Sequence, residues 1–293
     1  MTTRWNSECV KCMTNKFLCS FPESASETER MNYMRRFFAI LSSAKPEEGA
    51  PVITDYILKL QEEMFGASKD FTEIKRSFNK LMLEQEARIS ASINASDNPM
   101  RKAVQYVMTG NYIDFGALDN VDSDKLFELL SKADTQKIDE KIYSELCADL
   151  KNAEKLAYIT DNCGEVVLDK LLIKTIQASF PDIHVDIIVR GKPALNDATI
   201  EDAIQTGLTG IANVTGNGTG ITGTFLPEIS EEASQIIHNA DVLISKGQGN
   251  FETLRGCGLN IYYIFLCKCQ LFTKRFNKQQ YEGILTNEKY YQD

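Results

Sequence analysis

The apolar run Leu156-Ala157-Tyr158-Ile159-Thr160 stops at Asp161-Asn162, turns at Gly164 and gives way to a helically spaced segment from Val166 to Ile176. Such a run reads as a buried strand feeding a helix. It brings two oxygen-bearing side chains, Asp161 and Asn162, to a strand exit, where open α/β sheets bind ligands and helix N–H groups favour anions. A plain helix cap by Asn162 is the competing reading. The same punctuation recurs downstream, with strands expected at Leu156 to Thr160, His184 to Val189, Gly210 to Val214, Asp241 to Ser245 and Asn260 to Leu266. Strands alternating with helical stretches predict an α/β class fold, a Rossmann-like parallel sheet in an α/β/α sandwich. Right-handed crossovers make 3-2-1-4-5 the natural strand order, which sets the exits of the first, second and fourth strands side by side.

Upstream the texture is helical. Helices are expected over Cys9 to Cys19, Ser26 to Ser43, Ala50 to Phe65, Phe71 to Ile93, Asn98 to Thr109, Ser123 to Ala133 and Lys137 to Leu150. The chain therefore divides into a helical N-terminal region, 1–150, and an α/β/α domain, 151–293, that carries the strand exits. No stretch reaches the roughly 20 apolar residues of a membrane span, and Met1-Thr2-Thr3-Arg4-Trp5-Asn6 has no signal-peptide core, so a cytoplasmic protein is expected. A net charge of −9 argues against a nucleic-acid partner while leaving room for a local anion pocket. The eight dispersed cysteines fit a reduced compartment, most of them as buried thiols. Cys9-Val10-Lys11-Cys12 reads as two thiols one helical turn apart facing a core, because a zinc site needs a second pair and Cys267-Lys268-Cys269 has the wrong spacing. With only His184 and His238 in the chain, any metal would sit mainly on oxygen.

Three loops carry the chemistry. The first offers Asp161-Asn162, with Glu165 close behind. The second, Arg190 to Thr199, holds two cations, then Asn196-Asp197, then a helix start at Thr199-Ile200-Glu201-Asp202. The third is Lys246-Gly247-Gln248-Gly249-Asn250-Phe251-Glu252. Asp161, Asn162 and Asp197 suit a hard divalent cation such as Mg²⁺ or Mn²⁺, and Lys246 with the backbone at Gly247 and Gly249 suits phosphate oxygens. Each piece has a plainer reading: Asp197 as a helix cap, Lys246 as a solvated lysine, the glycines as turn residues. Gly218, Gly220 and Gly223 match a dinucleotide-binding spacing, but Thr224-Phe225-Leu226-Pro227 starts no helix, so a flexible loop over the pocket is expected instead.

Taken together, the three loops resemble the signature segments of the domain-of-unknown-function 89 family, whose members are metal-dependent damage-control phosphatases of phosphometabolites. Gly110-Asn111-Tyr112-Ile113-Asp114-Phe115-Gly116 and Cys9-x-x-Cys12 are similar to its smaller archaeal and bacterial type. The resemblance runs from Cys9 to about Cys269 and implies a helical region packed on an α/β/α sandwich. It further implies a divalent metal (Mn²⁺, Co²⁺ or Ni²⁺) on Asp161, Asn162 and Asp197, with Lys246 and Asn250 facing the substrate phosphate and Arg190 at a basic position. Cys163 departs from the small residue usual in the family, and the chain after Gln270 follows it loosely.

The expected activity is hydrolysis of a small phosphomonoester, with Asp161, Asp197 and Lys246 central, and with Arg190, Asn196, Gly247, Gly249 and Asn250 around the phosphate. Attack by an aspartate or by water are both compatible with this set, and Glu165 and Asp202 are candidate proton-transfer groups. The rivals are a carboxyl methyltransferase using S-adenosylmethionine and a non-catalytic metal- or metabolite-binding module. Such a cofactor normally uses a glycine-rich turn after the first strand and an acid after the second, whereas here the first loop offers Asp161-Asn162 and the second is basic.

Overall fold

In the computed structural model, which describes residues 4–66, 70–113 and 122–290, helices begin where side chains can cap them. Asn6 caps α1 (Ser7–Phe17), a Ser26/Glu29 capping box opens α2 (Glu27–Ser43), and Pro51 lies in the first turn of α3 (Ala50–Phe65). Then follow α4 (Thr72–Asn94), α5 (Pro99–Gly110, capped by Asn98), α6 (Ser123–Ser131) and α7 (Glu140–Asn152). They match the expected helices apart from their ends.

The remainder alternates: β1 (Lys155–Ile159), α8 (Val166–Ser179), β2 (His184–Val189), α9 (Ile200–Thr206), β3 (Asn213–Gly216), α10 (Glu231–Asn239), β4 (Val242–Lys246), α11 (Gln248–Leu254), β5 (Ile261–Leu266), α12 (Gln270–Phe276) and β6 (Gly283–Asn287). The sheet order is β3-β2-β1-β4-β5-β6. Its first five strands are parallel in the expected order, but β6 runs antiparallel to β5 on the edge, so the sheet is mixed rather than wholly parallel. The third strand starts at Asn213, not Gly210, because a one-turn 3₁₀ segment, Leu208–Gly210, follows the left-handed cap at Gly207.

Alternation along β1 sorts the layers. Leu156 and Tyr158 enter a core cluster shared with α4, α5, α7 and α8, whereas Ala157 and Ile159 face Phe251, Phe265 and Phe272 on the other side. A third cluster, built on Met13, Tyr33, Phe37, Ile53 and Ile57, holds α1 to α3 together. No helix among the described residues is long and apolar enough to cross a membrane. The cysteines correct two expectations. Only Cys9, Cys163 and Cys267 are buried, and Cys12 is exposed, so one thiol of the Cys-x-x-Cys pair faces the core and the other faces outward.

Candidate active site

The exits of β1, β2 and β4 lie side by side, and the first two are laced together by backbone. Ala198 N–H donates to the Asp161 carbonyl at 2.7 Å and Cys163 N–H to the Asn196 carbonyl at 2.8 Å, with Asn162 and Asp197 as antiparallel bridge partners. Asp161, Asn162 and Asp197 are thereby brought to one place, all buried. The β4–α11 turn closes on them through Gly247. Its φ is +85°, and an added Cβ would sit 2.0 Å from Asp161 Oδ2, so only glycine lets the carboxylate lie there.

Two buried cations organise this cluster. Arg190 Nε donates to Asp197 Oδ2 at 2.6 Å and Nη1 to Thr224 Oγ1 at 3.1 Å. Its Nη2 lies 3.8 Å from Asp161 Oδ1 and, although buried, has no hydrogen-bond acceptor. Lys246, fully buried, donates from Nζ to Glu165 Oε1 at 2.9 Å and lies 3.0 Å from Asp169 Oδ1, which also accepts from Tyr158 Oη at 2.7 Å. Asn111, from the end of α5, donates to both Asp161 Oδ2 and Glu165 Oε2 at 2.9 Å and joins the two halves. Burial pushes the Asp169 carboxyl up to about 6 despite the opposing pull of Lys246. Burial pulls the Lys246 ammonium down, but Asp169 and then Glu165 reverse this and hold it above its ordinary value.

Whether these residues suit a divalent cation follows from charge and donor type. Among the described residues, four buried carboxylates (Asp161, Glu165, Asp169, Asp197) pair with two buried cations (Arg190, Lys246), a formal surplus of two negative charges in this set when all are ionised. Buried charge of that sign is costly unless a cation joins it. Among the described residues no group of three His, Cys, Asp or Glu side chains is placed to hold a metal ion. A cation here would rest on Asp161, Asp197 and the Asn162 carboxamide oxygen, its other positions left to water or ligand, in the manner of Mg²⁺-like ions. Asn162 Nδ2 now faces Asp161 Oδ2 at 2.6 Å, so that oxygen faces a cation only after the amide turns over. The donor set fits.

Other expected site residues turn out to have internal duties. Asn250 Nδ2 donates to the Thr160 and Lys246 carbonyls at 2.9 and 2.6 Å while its Oδ1 accepts from Thr224, so this amide braces loops instead of facing a phosphate. Asn196 Nδ2 donates to the Ile113 carbonyl at 3.3 Å. Asp202 closes the Thr199 capping box and is held by Lys75 at 2.6 Å and Asn79 at 2.8 Å, which spends its carboxylate away from proton transfer. The N–H of Gly247 donates to the Ile264 carbonyl, and Gly249 packs its α-carbon on Thr222, where a Cβ would lie 2.0 Å from the carbonyl oxygen. The loop expected to be flexible is pinned: Gly191 and Lys192 donate to the Thr219 carbonyl, and Thr224 N–H to Thr253 Oγ1. No helix begins there before Glu231, as its proline implied. Within Gly110 to Gly116, positions 114–116 lie outside the described residues.

The sequence alone assigns no role to Tyr158, Asp169 or Thr224, nor to Asn111 beyond its place in the Gly110 to Gly116 segment. Asp169 carried one usable signal, a carboxylate one turn after Glu165 on the buried start of α8. A cavity of about 1380 Å³ adjoins the cluster between α1, α3, α4 and the loops, lined among others by Lys192, Leu195, Thr199, Gly220 and Ile221. Its wall runs on both sides of Asn196-Asp197, and Leu195 turns the chain there with φ +46°, a conformation costly for leucine. The carboxylates themselves lie beside this cavity, not in its lining.

Comparison with known proteins gives concordant results. The family model for the damage-control phosphatase ARMT1-like domain matches residues 5–284. The chain is 33% identical over 273 residues to a damage-control phosphatase of Pyrococcus horikoshii, covering 89% of this chain and 90% of that protein. It is 32% identical over 278 residues to an uncharacterized protein of Methanocaldococcus jannaschii, covering 90% and 88%. The crystal structure of a DUF89 family protein from Pyrococcus horikoshii superposes with a TM-score of 0.73 at 28% identity, covering 97% of this chain and 99% of that one.

Proposed function

The chain belongs to the damage-control phosphatase ARMT1-like domain family, and from that premise we propose that it is a metal-dependent phosphatase of small phosphomonoesters. The observation that carries the reading is the buried cluster in which Asp161 and Asp197 share Arg190 while Arg190 Nη2 keeps an unused donor. Asp161, Asn162 and Asp197 would hold the divalent ion. Such an ion supplies Lewis acidity to a phosphoryl group and lowers the pKa of water.

The chain's own residues do the rest. Arg190 is braced by Asp197 and Thr224, so its Nη2 donates to a phosphoryl oxygen without reorganising. Lys246 neutralises Glu165 and Asp169 from behind and has one further N–H beyond the two they accept. Glu165, which accepts from Lys246, Asn111 and Asn162, ties the lysine to the Asp161 side of the cluster. The adjoining cavity receives the rest of the phosphorylated metabolite, with Lys192 and Leu195 on its wall.

The test is a screen of sugar phosphates and cofactor phosphates with Mn²⁺, Co²⁺, Ni²⁺ or Mg²⁺, following release of inorganic phosphate. Release that requires a divalent ion and disappears in Asp161→Asn is expected. No release with any ion, or undiminished release from Asp161→Asn, would overturn the proposal.

A further inference from the structure

Lys246 is held by two carboxylates that differ in what else they touch. Glu165 is shared: Oε1 accepts from Lys246 while Oε2 accepts from Asn111 at 2.9 Å and Asn162 at 3.3 Å, so it belongs to the Asp161 side as much as to the lysine. Asp169 is not shared. Among the described residues its polar partners are Lys246 Nζ at 3.0 Å and Tyr158 Oη at 2.7 Å, both on Oδ1, and its Oδ2 is buried without a hydrogen bond. Asp169 and Tyr158 are themselves completely buried, inside the cluster where α8 meets the sheet.

A buried carboxylate with a bare oxygen is a poor stabilising device, since replacing buried ion pairs with apolar groups is often neutral or stabilising. Geometry explains what it does instead. Tyr158 projects from β1 and Asp169 from the first turn of α8, both fully buried, and Lys246 is the last residue of β4, strand neighbour of β1. The hydroxyl fixes the carboxylate, and the carboxylate fixes the ammonium. The burial that drives Asp169 upward is offset by Lys246 more than by any other group, and of the groups that raise Lys246, Asp169 contributes most.

We propose that Asp169, oriented by the Tyr158 hydroxyl, is a positioning residue for Lys246: it holds the ammonium in place behind Glu165 so that the remaining N–H is presented to the phosphoryl oxygens. This rests on the phosphatase reading above. Asp169 touches no reacting atom and acts only through the lysine, so its effect exists only while the lysine does.

A double-mutant cycle tests this dependence. Asp169→Asn is expected to lower kcat about 10- to 100-fold with KM within about 3-fold, and Tyr158→Phe, which removes a single oxygen, to lower kcat about 5-fold in the same sense. In a Lys246→Met background, each substitution should change kcat by less than about 2-fold. The same cycle is run on the affinity for inorganic phosphate by calorimetry, where Asp169→Asn should weaken binding only when Lys246 is present. Equal effects with and without the lysine would mark a structural role and overturn the proposal, as would wild-type kcat in Asp169→Asn. Should Asp169→Asn fail to fold, Tyr158→Phe carries the cycle by itself. A wild-type protein inert toward all phosphomonoesters would sink the phosphatase reading, and the phosphate-affinity cycle would still decide this one.

Discussion

Arg190→Met is the perturbation that most directly probes the charge balance of the site. Methionine is close in length and apolar, so it removes the guanidinium with little loss of packing. What remains is Asp197, which loses its 2.6 Å partner, and Asp161, which loses the cation 3.8 Å away, with the formal negative surplus among the four carboxylates and their described cations rising from two to three. Removing one partner of a buried pair costs about 3–5 kcal/mol. With an unfolding entropy of roughly 2.1 cal/mol/K per residue over 293 residues, each kcal/mol moves Tm by about 1.6 °C, so a fall of about 5–8 °C is expected. The extra negative charge tightens the hold on a divalent ion, and every tenfold in Kd adds about 1.4 kcal/mol at saturating ion. Mn²⁺ should therefore raise the Tm of the variant by at least about 2 °C more than it raises that of wild type. Thermal unfolding with and without MnCl₂, referenced to a chelator, reads both quantities. A variant that melts with wild type, or one whose Mn²⁺ shift equals or falls below the wild-type shift, would refute the reasoning.

Gly247→Ala combines a left-handed backbone with a methyl 2.0 Å from Asp161 Oδ2, so it should lower Tm by several degrees and abolish the Mn²⁺-induced shift; a retained shift would show that Asp161 need not lie against this turn. Asn250→Ala removes a donor from the Thr160 and Lys246 carbonyls, which costs about 2–3 kcal/mol with KM unchanged; normal stability with a raised KM would return Asn250 to the substrate. Asp169 has a folded pKa raised from 3.8 to about 6, so the native state binds this proton more tightly than the unfolded chain does. Its contribution to stability is full below about pH 4 and is lost as pH rises through about 6, a change of roughly 3 kcal/mol. Denaturant unfolding at pH 4 and pH 7 should show that drop in wild type and not in Asp169→Asn; equal pH slopes would rule it out.

Asp161, Asn162, Asp197 and Arg190 were legible in the sequence for a reason that can be stated. They stand at strand exits, and βαβ chirality makes the exits of β1, β2 and β4 neighbours before any side chain is placed. What was illegible lies where neighbourhood depends on packing. Asn111 reaches Asp161 from a helix layer 50 residues earlier, and Asp169 sits in the first turn of α8 between valines and leucines, where an acid reads as favouring the helix start rather than as part of a site. Asp202 was misread because the Thr199-x-x-Asp202 capping box also supplies an acid close to the site. The glycines from Gly216 to Gly223 suggested mobility, yet Gly191 lies so close to this loop that a Cβ there would sit 2.2 Å from Gly218 N. Glycine there serves close approach, and close approach immobilises. The edge strand β6 was missed because Gly283-Ile284-Leu285 is a short run outside the βαβ rhythm.

The two cations of the cluster have different jobs because they occupy opposite sides of it. Arg190 bridges Asp161 and Asp197, the two carboxylates proposed to hold the metal, and competes for the same negative charge. Lys246 pairs instead with Glu165 and Asp169, and Glu165 is joined to Asp161 through Asn111 and Asn162, which donate to both carboxylates. A dication on Asp161, Asn162 and Asp197 would bring the formal sum of these four carboxylates and two cations to zero without displacing Lys246, and Arg190 Nη2, which has no hydrogen-bond acceptor within the protein, would donate to an anion beside it. Ion and phosphate should accordingly bind with positive cooperativity, since each relieves the charge that opposes the other. Calorimetric titration of inorganic phosphate with and without saturating Mn²⁺ measures that coupling, and equal affinities in the two titrations would contradict it.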